Sequence, residues 1–262
     1  MPRWVLGVVV GPWLLASALR AQGTSVREHL LTVAGGPLFV SQRDANASPL
    51  RYGGTAGAFQ AGYGVRTGGS WLGISVGGAL GRLRSDLTQG NLPREEAWRG
   101  WVETEYARVM IATGSQTRWL MGARFAAHGT AIHHYYSDPG ASEAGYTFFS
   151  AAVGPIVGFE RAFSPRTMVS AWVGAPLLAL IARPYVGGGF LDQGGALHVR
   201  VATLNVFQGP QLTAAYATQI GRGVDLVLGY HVVVEHYRDS QPFRYASQDV
   251  SVALRLRLGG TL

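Results

Sequence analysis

Apolar residues alternate with small or polar ones along almost the whole chain beyond residue 28. In the last segment Val250, Leu254 and Leu258 share one face, and Ser251 and Arg255 lie on the other. A period of two residues is typical of β-strands whose two faces meet different surroundings. Ten segments show it, and we predict a strand for each: 29–41, 54–66, 70–84, 97–112, 117–135, 146–163, 167–183, 206–220, 224–237 and 245–258.

The connections between these segments alternate between short and long. Tight turns are predicted at 67–69, 113–116, 164–166 and 221–223, and longer polar loops at 42–53, 85–96, 136–145, 184–205 and 238–244. This asymmetry is typical of a closed antiparallel transmembrane β-barrel with short periplasmic turns and longer extracellular loops. Ten strands are expected, with eight or twelve as alternatives. Residues 196–201 also alternate. They either extend the eighth strand through a bulge near residues 203–205 or form a separate hairpin.

A soluble barrel also alternates, but it turns its apolar face inward. The segments here are 13–19 residues long, whereas globular strands average about 5–6. Their less apolar face is mostly Gly, Ala, Ser, Thr and Gln rather than charged. We therefore predict that the apolar face contacts lipid. Aromatic residues near segment ends are expected to form the interfacial girdles: Trp71, Trp98, Trp101, Trp119, Tyr135, Phe163, Tyr216 and Tyr237.

The composition says less about the fold than about which chemical sites the protein can contain. The chain has 37 Gly among 262 residues, 14% charged residues and no Cys. The missing Cys excludes disulfides, zinc–thiolate sites and a cysteine nucleophile. All 22 basic residues are Arg, and they form no basic run or stripe, so nucleic acid is not expected as a partner. The sequence points to no metal or cofactor.

The N-terminal residues have the layout of a secretory signal peptide. Arg3 precedes an apolar stretch, Trp4–Leu15, and small residues follow up to Ala21. We predict cleavage after Ala21, with Ala18 as the alternative, which leaves a single barrel domain over residues 22–262. An uncleaved anchor is disfavoured because Pro12 interrupts a short apolar run. The mature chain keeps 20 Arg against 15 acidic residues, a formal charge of +5.

The signal peptide, the even strand count, the aromatic residues and the loop asymmetry together resemble the small outer-membrane β-barrel proteins of Gram-negative bacteria. The resemblance implies export to the outer membrane and contact with its lipids and its barrel-assembly machinery. It departs in one respect, because such barrels usually end on an aromatic residue and this last strand ends at Leu258. Three loop arginines, Arg51, Arg94 and Arg183, suit an anionic partner such as lipopolysaccharide.

If the apolar face meets lipid, the opposite face lines a narrow lumen that side chains largely fill. Hairpin symmetry predicts that Glu105 faces Arg124, that Asp225 lies near Arg255 or Arg257, and that His231 lies near Asp249 or Ser251. We expect these groups to form a structural polar network, with a polar path or small-ligand site as the alternative. Arg99, Arg118 and His134 share the face, and the network comprises Glu103, Glu105, Arg124, His128, Glu160, Asp225, His231, Glu235, Asp249, Arg255 and Arg257.

Two sets of residues suggest hydrolysis instead. In the interior, His231 with Asp249 and either Ser247 or Ser251 has the residue types of a catalytic triad. At the outer rim lie His133, His134, Ser137, Asp138, Glu235, His236 and Asp239. The strand count and the rim placement are similar to the omptin proteases, but no omptin motif is present and no catalytic role carries over.

We therefore expect a non-enzymatic structural or interaction barrel, with restricted, porin-like passage of small solutes at most. The alternative is an outer-membrane hydrolase of lipid or peptide that uses these histidines.

Overall fold

A computed structural model describes residues 27–44, 51–85, 94–113, 116–135, 144–184, 197–238 and 242–258. The predicted signal peptide, residues 1–21, lies outside these ranges. No helix in the described ranges is long and apolar enough to cross a bilayer. The regular elements there are thirteen strands: β1 (Glu28–Asp44), β2 (Tyr52–Arg66), β3 (Ser70–Ser85), β4 (Arg94–Thr113), β5 (Thr117–Tyr135), β6 (Ala144–Ser164), β7 (Thr167–Gly174), β8 (Leu178–Pro184), β9 (Leu197–Thr203), β10 (Phe207–Gln208), β11 (Gln211–Gly221), β12 (Val224–Tyr237) and β13 (Phe243–Leu258).

These strands close into one antiparallel barrel with ten wall positions. Each wall position pairs with the positions on either side of it, and β1 pairs with β13 to complete the circle. β7 and β8 together fill the seventh position, and β9, β10 and β11 fill the eighth. The predicted count of ten is confirmed. We call the end of the barrel that carries the short connections, Glu28 and Leu258 the turn end. The opposite end is the loop end.

The apolar face points outward, as predicted. Val33, Val252 and Leu254 are 67%, 54% and 53% exposed, whereas their neighbour Ala253 is 6% exposed. Such a row of exposed aliphatic side chains cannot be solvated favourably by water and is the expected surface for contact with hydrocarbon. The small residues of the other face allow ten strands to close around a narrow interior.

The predicted seventh segment, 167–183, is wrong in one detail. Gly174 pairs with Ile156 and Leu178 pairs with Val153, so three residues on this side oppose two on β6. The extra residue is a β-bulge around Pro176, which lacks the N–H that a ladder requires. Beyond this bulge, positions that the alternating pattern assigns to the lipid side face the lumen, and the others face lipid. Ala179 and Ile181, expected on the lipid side with Val173, are buried, and Leu178 and Leu180 face outward instead.

Residues 196–201, for which the sequence left two possibilities, lie mostly in β9. A turn in which the Val206 N–H donates to the Thr203 carbonyl at 2.9 Å joins β9 to β10. β9 therefore extends the eighth wall position, and its ladder in the described part of the chain is with β8.

The expectation of an outer aromatic girdle is only half correct. Trp98, Trp119, Phe163 and Tyr216 face outward. Trp71 donates a hydrogen bond inside the barrel, Trp101 packs beside inward-facing residues, and Tyr237 is buried. Each of these three occupies an inward position of its strand, because the strict alternation sets the direction of a side chain whatever its chemistry. The side chain of Tyr135 lies outside the described part.

Inward aromatic residues pack together in the lumen near the loop end. Phe148 and Phe243 stack with ring centroids 4.0 Å apart, and Tyr237, Tyr245 and Phe207 pack around them. We call this group, with Ala179, Ile181 and Ala202, the aromatic cluster. It is a hydrophobic core inside a membrane barrel, and it separates the loop end from the charged interior below.

Candidate functional site

An ion pair crosses the lumen directly beneath the aromatic cluster. Arg99 on β4 and Glu235 on β12 occupy the fourth and ninth wall positions, so they approach from opposite sides of a ten-strand wall. Both terminal guanidinium nitrogens of Arg99 lie 3.1 Å from Oε2 of Glu235. The guanidinium also lies over the ring of Tyr245, 3.8 Å from its centroid. The pair therefore ties the charged layer to the aromatic cluster.

His128 on β5 joins the same layer. Its Nδ1 is 2.6 Å from Oε1 of Glu235, and its Nε2 is 3.4 Å from Oε1 of Glu103 on β4. Nη2 of Arg99 also lies 3.0 Å from Nδ1 of His128. We call Arg99, Glu103, His128 and Glu235 the transverse network. All of its members are buried, and each charge faces at least one opposite charge, which offsets the cost of desolvation.

A second pair lies one layer nearer the turn end. Glu105 on β4 is in register with Arg124 on β5, and the two side chains form an ion pair. Arg124 also donates to Oε1 of Gln211 at 2.5 Å, and Trp71 Nε1 donates to Oε2 of Glu105 at 3.3 Å. Strands β3, β4, β5 and β11 are linked through these four side chains.

His231 on β12 pairs with Asp249 on β13, with Nδ1 and Oδ2 3.1 Å apart. Its Nε2 is buried and has no hydrogen-bond partner among the described residues. Neither Ser247 nor Ser251 is therefore hydrogen bonded to this histidine, and the described residues assemble a His–Asp pair rather than a Ser–His–Asp triad. Nor do they contain three or more His, Asp or Glu side chains grouped to hold a metal ion.

Three more ion pairs lie at the turn end. Arg66 on β2 reaches Glu160 on β6 across the lumen, with Nη2 and Oε1 2.6 Å apart. Arg257 contacts Asp225 through Nε and Nη2, each at 2.8 Å, and Glu28 at 3.6 Å. Of the two predicted arginine partners for Asp225, the structure pairs it with Arg257, while Arg255 faces the interior.

An open cavity of about 240 Å³ lies between the transverse network and the Arg66–Glu160 pair. Its lining combines charged, hydroxyl and aromatic groups, among them Arg255, His231, Thr32, Ser251, Trp71 and Trp172. The expectation of a lumen largely filled by side chains therefore holds for the loop half and fails for the turn half, where Gly62, Gly73 and Gly229 line the space. A second, small cavity of about 30 Å³ lies at the Pro176 bulge and reaches His128 and Glu235.

The rim residues do not converge as a catalytic set within the described part of the chain. Glu235 points into the lumen and His236 to the outer face, because they are neighbours on one strand. His133 and His134 lie in β5, but their side chains, like Ser137, Asp138 and Asp239, fall outside the described part.

The interpretation of Arg183 as a loop residue is wrong. It lies in β8 at 8% exposure, 5.7 Å above the rings of both Phe148 and Tyr237. Its inward direction follows from the exchange of faces at Pro176. Arg118 lies on the inward face as expected, and the side chains of Arg94 and His134 lie outside the described part.

Sequence reasoning missed Arg66, Gln211 and Tyr245. Arg66 and Tyr245 each continue the inward parity of a predicted strand, which was a usable signal for their direction. Their partners were not predictable, because Glu160 and Arg99 lie on strands that are distant along the wall.

Comparison with known proteins supports the fold. No family model and no curated protein sequence matches the chain. Among solved structures, the outer membrane protease OmpT from Escherichia coli aligns with a TM-score of 0.58 over 88% of this chain and 97% of that one, at 6% identity. The chain has the outer-membrane β-barrel fold.

Two further barrels align less closely. The translocator domain of the autotransporter NalP from Neisseria meningitidis gives a TM-score of 0.47 at 10% identity, over 94% of this chain and 93% of that one. Neisserial surface protein A gives 0.38 at 10% identity, over 90% and 100%. At such identities the likeness concerns the fold alone.

Proposed function

We propose that this protein is a bacterial outer-membrane barrel with a structural or interaction role, exported by the N-terminal signal peptide and inserted by the barrel-assembly machinery. Its lumen is closed to free diffusion at rest. The observation that carries this proposal is the Arg99–Glu235 pair, which joins opposite sides of the barrel wall directly beneath the aromatic cluster.

The physical basis is that both layers resist being opened. Separating Arg99 from Glu235 takes the ion-pair partner from the buried guanidinium and leaves the carboxylate of Glu235 with His128 alone, which costs several kcal/mol. The stacked rings of Phe148 and Phe243 exclude water from the same part of the lumen. Small-solute passage therefore requires both layers to move, and the polar network serves to hold the wall together.

Single-channel recording in planar bilayers tests the closed state. We expect the wild-type barrel to show no steady conductance. The triple variant Arg99→Ala/Glu235→Ala/Phe148→Ala opens a gap in both layers and leaves Glu103 paired with His128, so it should conduct. Arg108→Ala, an exposed position on the outer face near the turn end, is the matched control and should stay silent. A steady open-pore conductance of the wild type contradicts the proposal.

We also propose that lipopolysaccharide binds the outer face at the loop end. Arg43 on β1 and Arg244 on β13 are direct cross-strand partners and are both exposed, and Arg244 is also in register with His236. Like charges directly opposite each other destabilise a sheet. A lipid phosphate bound between the two guanidinium groups relieves this repulsion through charge-assisted hydrogen bonds.

Thermal unfolding of the folded barrel in detergent, with and without lipopolysaccharide, tests this contact. We expect lipopolysaccharide to raise the unfolding temperature of the wild type and of Arg108→Ala. The increase should be much smaller for Arg43→Ala/Arg244→Ala. An unfolding temperature that lipopolysaccharide leaves unchanged in the wild type counts against the proposal.

A further inference from the structure

Arg255 on β13 differs from the other buried charges described above. Its side chain lines the large cavity in the turn half of the lumen. Within the described part of the chain its guanidinium makes no ion pair and no hydrogen bond; the charged groups around it are Arg66, Arg257, Asp225 and Glu160. Arg255 is half-buried, and a partly buried guanidinium without a partner costs free energy unless something else satisfies it.

The neighbouring carboxylates are already engaged. Asp225 receives two contacts of 2.8 Å from Arg257, and Glu160 receives one of 2.6 Å from Arg66. Both carboxylates, and Glu28 beside Arg257, are therefore held by other arginines, and Arg255 is left without a counter-ion of its own. Its position fits a site whose counter-ion is not part of the protein.

The cavity offers the other contacts that a small anion needs. Hydroxyl groups from Thr32, Thr213 and Ser251 line it, and the indole rings of Trp71 and Trp172 provide apolar surface. A guanidinium presents parallel N–H donors that match the two oxygens of a carboxylate or phosphate group. The cavity has a volume of about 240 Å³, which is large enough for a small anion such as phosphate or succinate.

We propose that the lumen cavity is a binding site for a small oxyanion, a carboxylate or phosphate group, with Arg255 as the residue that pairs with it. This site involves neither the layers proposed to close the loop half nor the residues proposed to bind lipopolysaccharide. The result of its test is therefore independent of both proposals.

Titration of the folded full-length barrel in an anion-poor buffer tests the proposal. Inorganic phosphate and succinate are the two probes, and they distinguish phosphate from carboxylate chemistry. Binding is measured by calorimetry and by tryptophan fluorescence, since Trp71 and Trp172 line the site. We expect at least one probe to bind saturably to the wild type, at least tenfold more weakly to Arg255→Gln, and unchanged to Arg108→Gln.

Thermal unfolding without added anion separates a ligand site from a structural one. Arg255→Gln breaks no ion pair and removes repulsion from Arg66 and Arg257, so its unfolding temperature should equal or exceed that of the wild type. Arg66→Gln leaves Glu160 without its ion-pair partner and should lower the unfolding temperature. The proposal is overturned if neither probe binds, if Arg255→Gln binds as well as the wild type, or if Arg255→Gln lowers the unfolding temperature as much as Arg66→Gln does.

Discussion

Arg99 and Glu235 meet across the axis of the barrel, with both guanidinium Nη atoms 3.1 Å from the same carboxylate oxygen. Their side chains are 8% and 2% exposed, so the pair is almost completely removed from water. Because the two residues come from opposite sides of the wall, their contact depends on the closure of all ten positions.

A double-mutant cycle on this pair should show strong coupling. We expect Glu235→Ala to lower the free energy of unfolding by about 3–5 kcal/mol, because it leaves the guanidinium of Arg99 buried without a carboxylate. Arg99→Ala should cost less, because Glu235 keeps its contact with His128. The double variant should cost clearly less than the sum of the two single changes. Reversible urea unfolding in lipid vesicles measures the values, and additive effects would contradict the proposed coupling.

The Glu105–Arg124 pair should respond unequally to the loss of either partner. Glu105→Gln leaves the guanidinium of Arg124, 8% exposed, with only Gln211, whereas Arg124→Gln leaves a carboxylate that is 20% exposed and still accepts from Trp71. Both changes should lower the temperature at which the folded barrel unfolds, and Glu105→Gln should lower it more. Heat-dependent electrophoretic mobility is a sufficient measurement. If neither variant shifts the unfolding, this pair does not stabilise the wall.

Gly154 faces the bulge at Pro176 and leaves no room for a side chain. A Cβ at this position would lie 2.0 Å from the carbonyl oxygen of Ala175 and 2.7 Å from Cα of Pro176. Gly154→Ala should therefore destabilise the barrel by about 1–3 kcal/mol, since backbone must move to admit it. Gly57→Ala, with nothing within 4 Å of the added Cβ, is the control and should be close to neutral in the same urea unfolding experiment. Equal effects of the two changes would show that the bulge tolerates displacement.

The His231–Asp249 pair should not support hydrolysis. Nδ1 of His231 is held by Asp249, but its Nε2 has no hydroxyl partner among the described residues, so no serine nucleophile is activated. We expect the wild-type protein to leave fluorogenic peptides and fatty-acyl esters intact in vesicle-based assays. Turnover by the wild type that His231→Ala abolishes and Arg108→Ala retains would establish the alternative function.

The pairs that local register controls were accessible from the residues alone. Counting outward from a tight turn puts Glu105 opposite Arg124, and the same procedure puts His231 opposite Asp249. The bulge at Pro176 was not accessible, because the apolar residues on either side of it satisfy the alternating pattern equally well in both phases. Because the bulge adds one residue, the pattern predicted the wrong direction for Ala179 and Ile181 and did not predict that Arg183 faces the lumen.

The alternating pattern by itself determined the strands, their order and the outward direction of the apolar side chains, because each of these depends on neighbours along the chain or across one hairpin. The tertiary structure decided which charges meet across the lumen, as Arg99 meets Glu235 and Arg66 meets Glu160. It also decided that Arg255 is left facing a cavity. The physical reason is that these relationships depend on the stagger between distant strands, which is set only when β1 pairs with β13 and the wall closes.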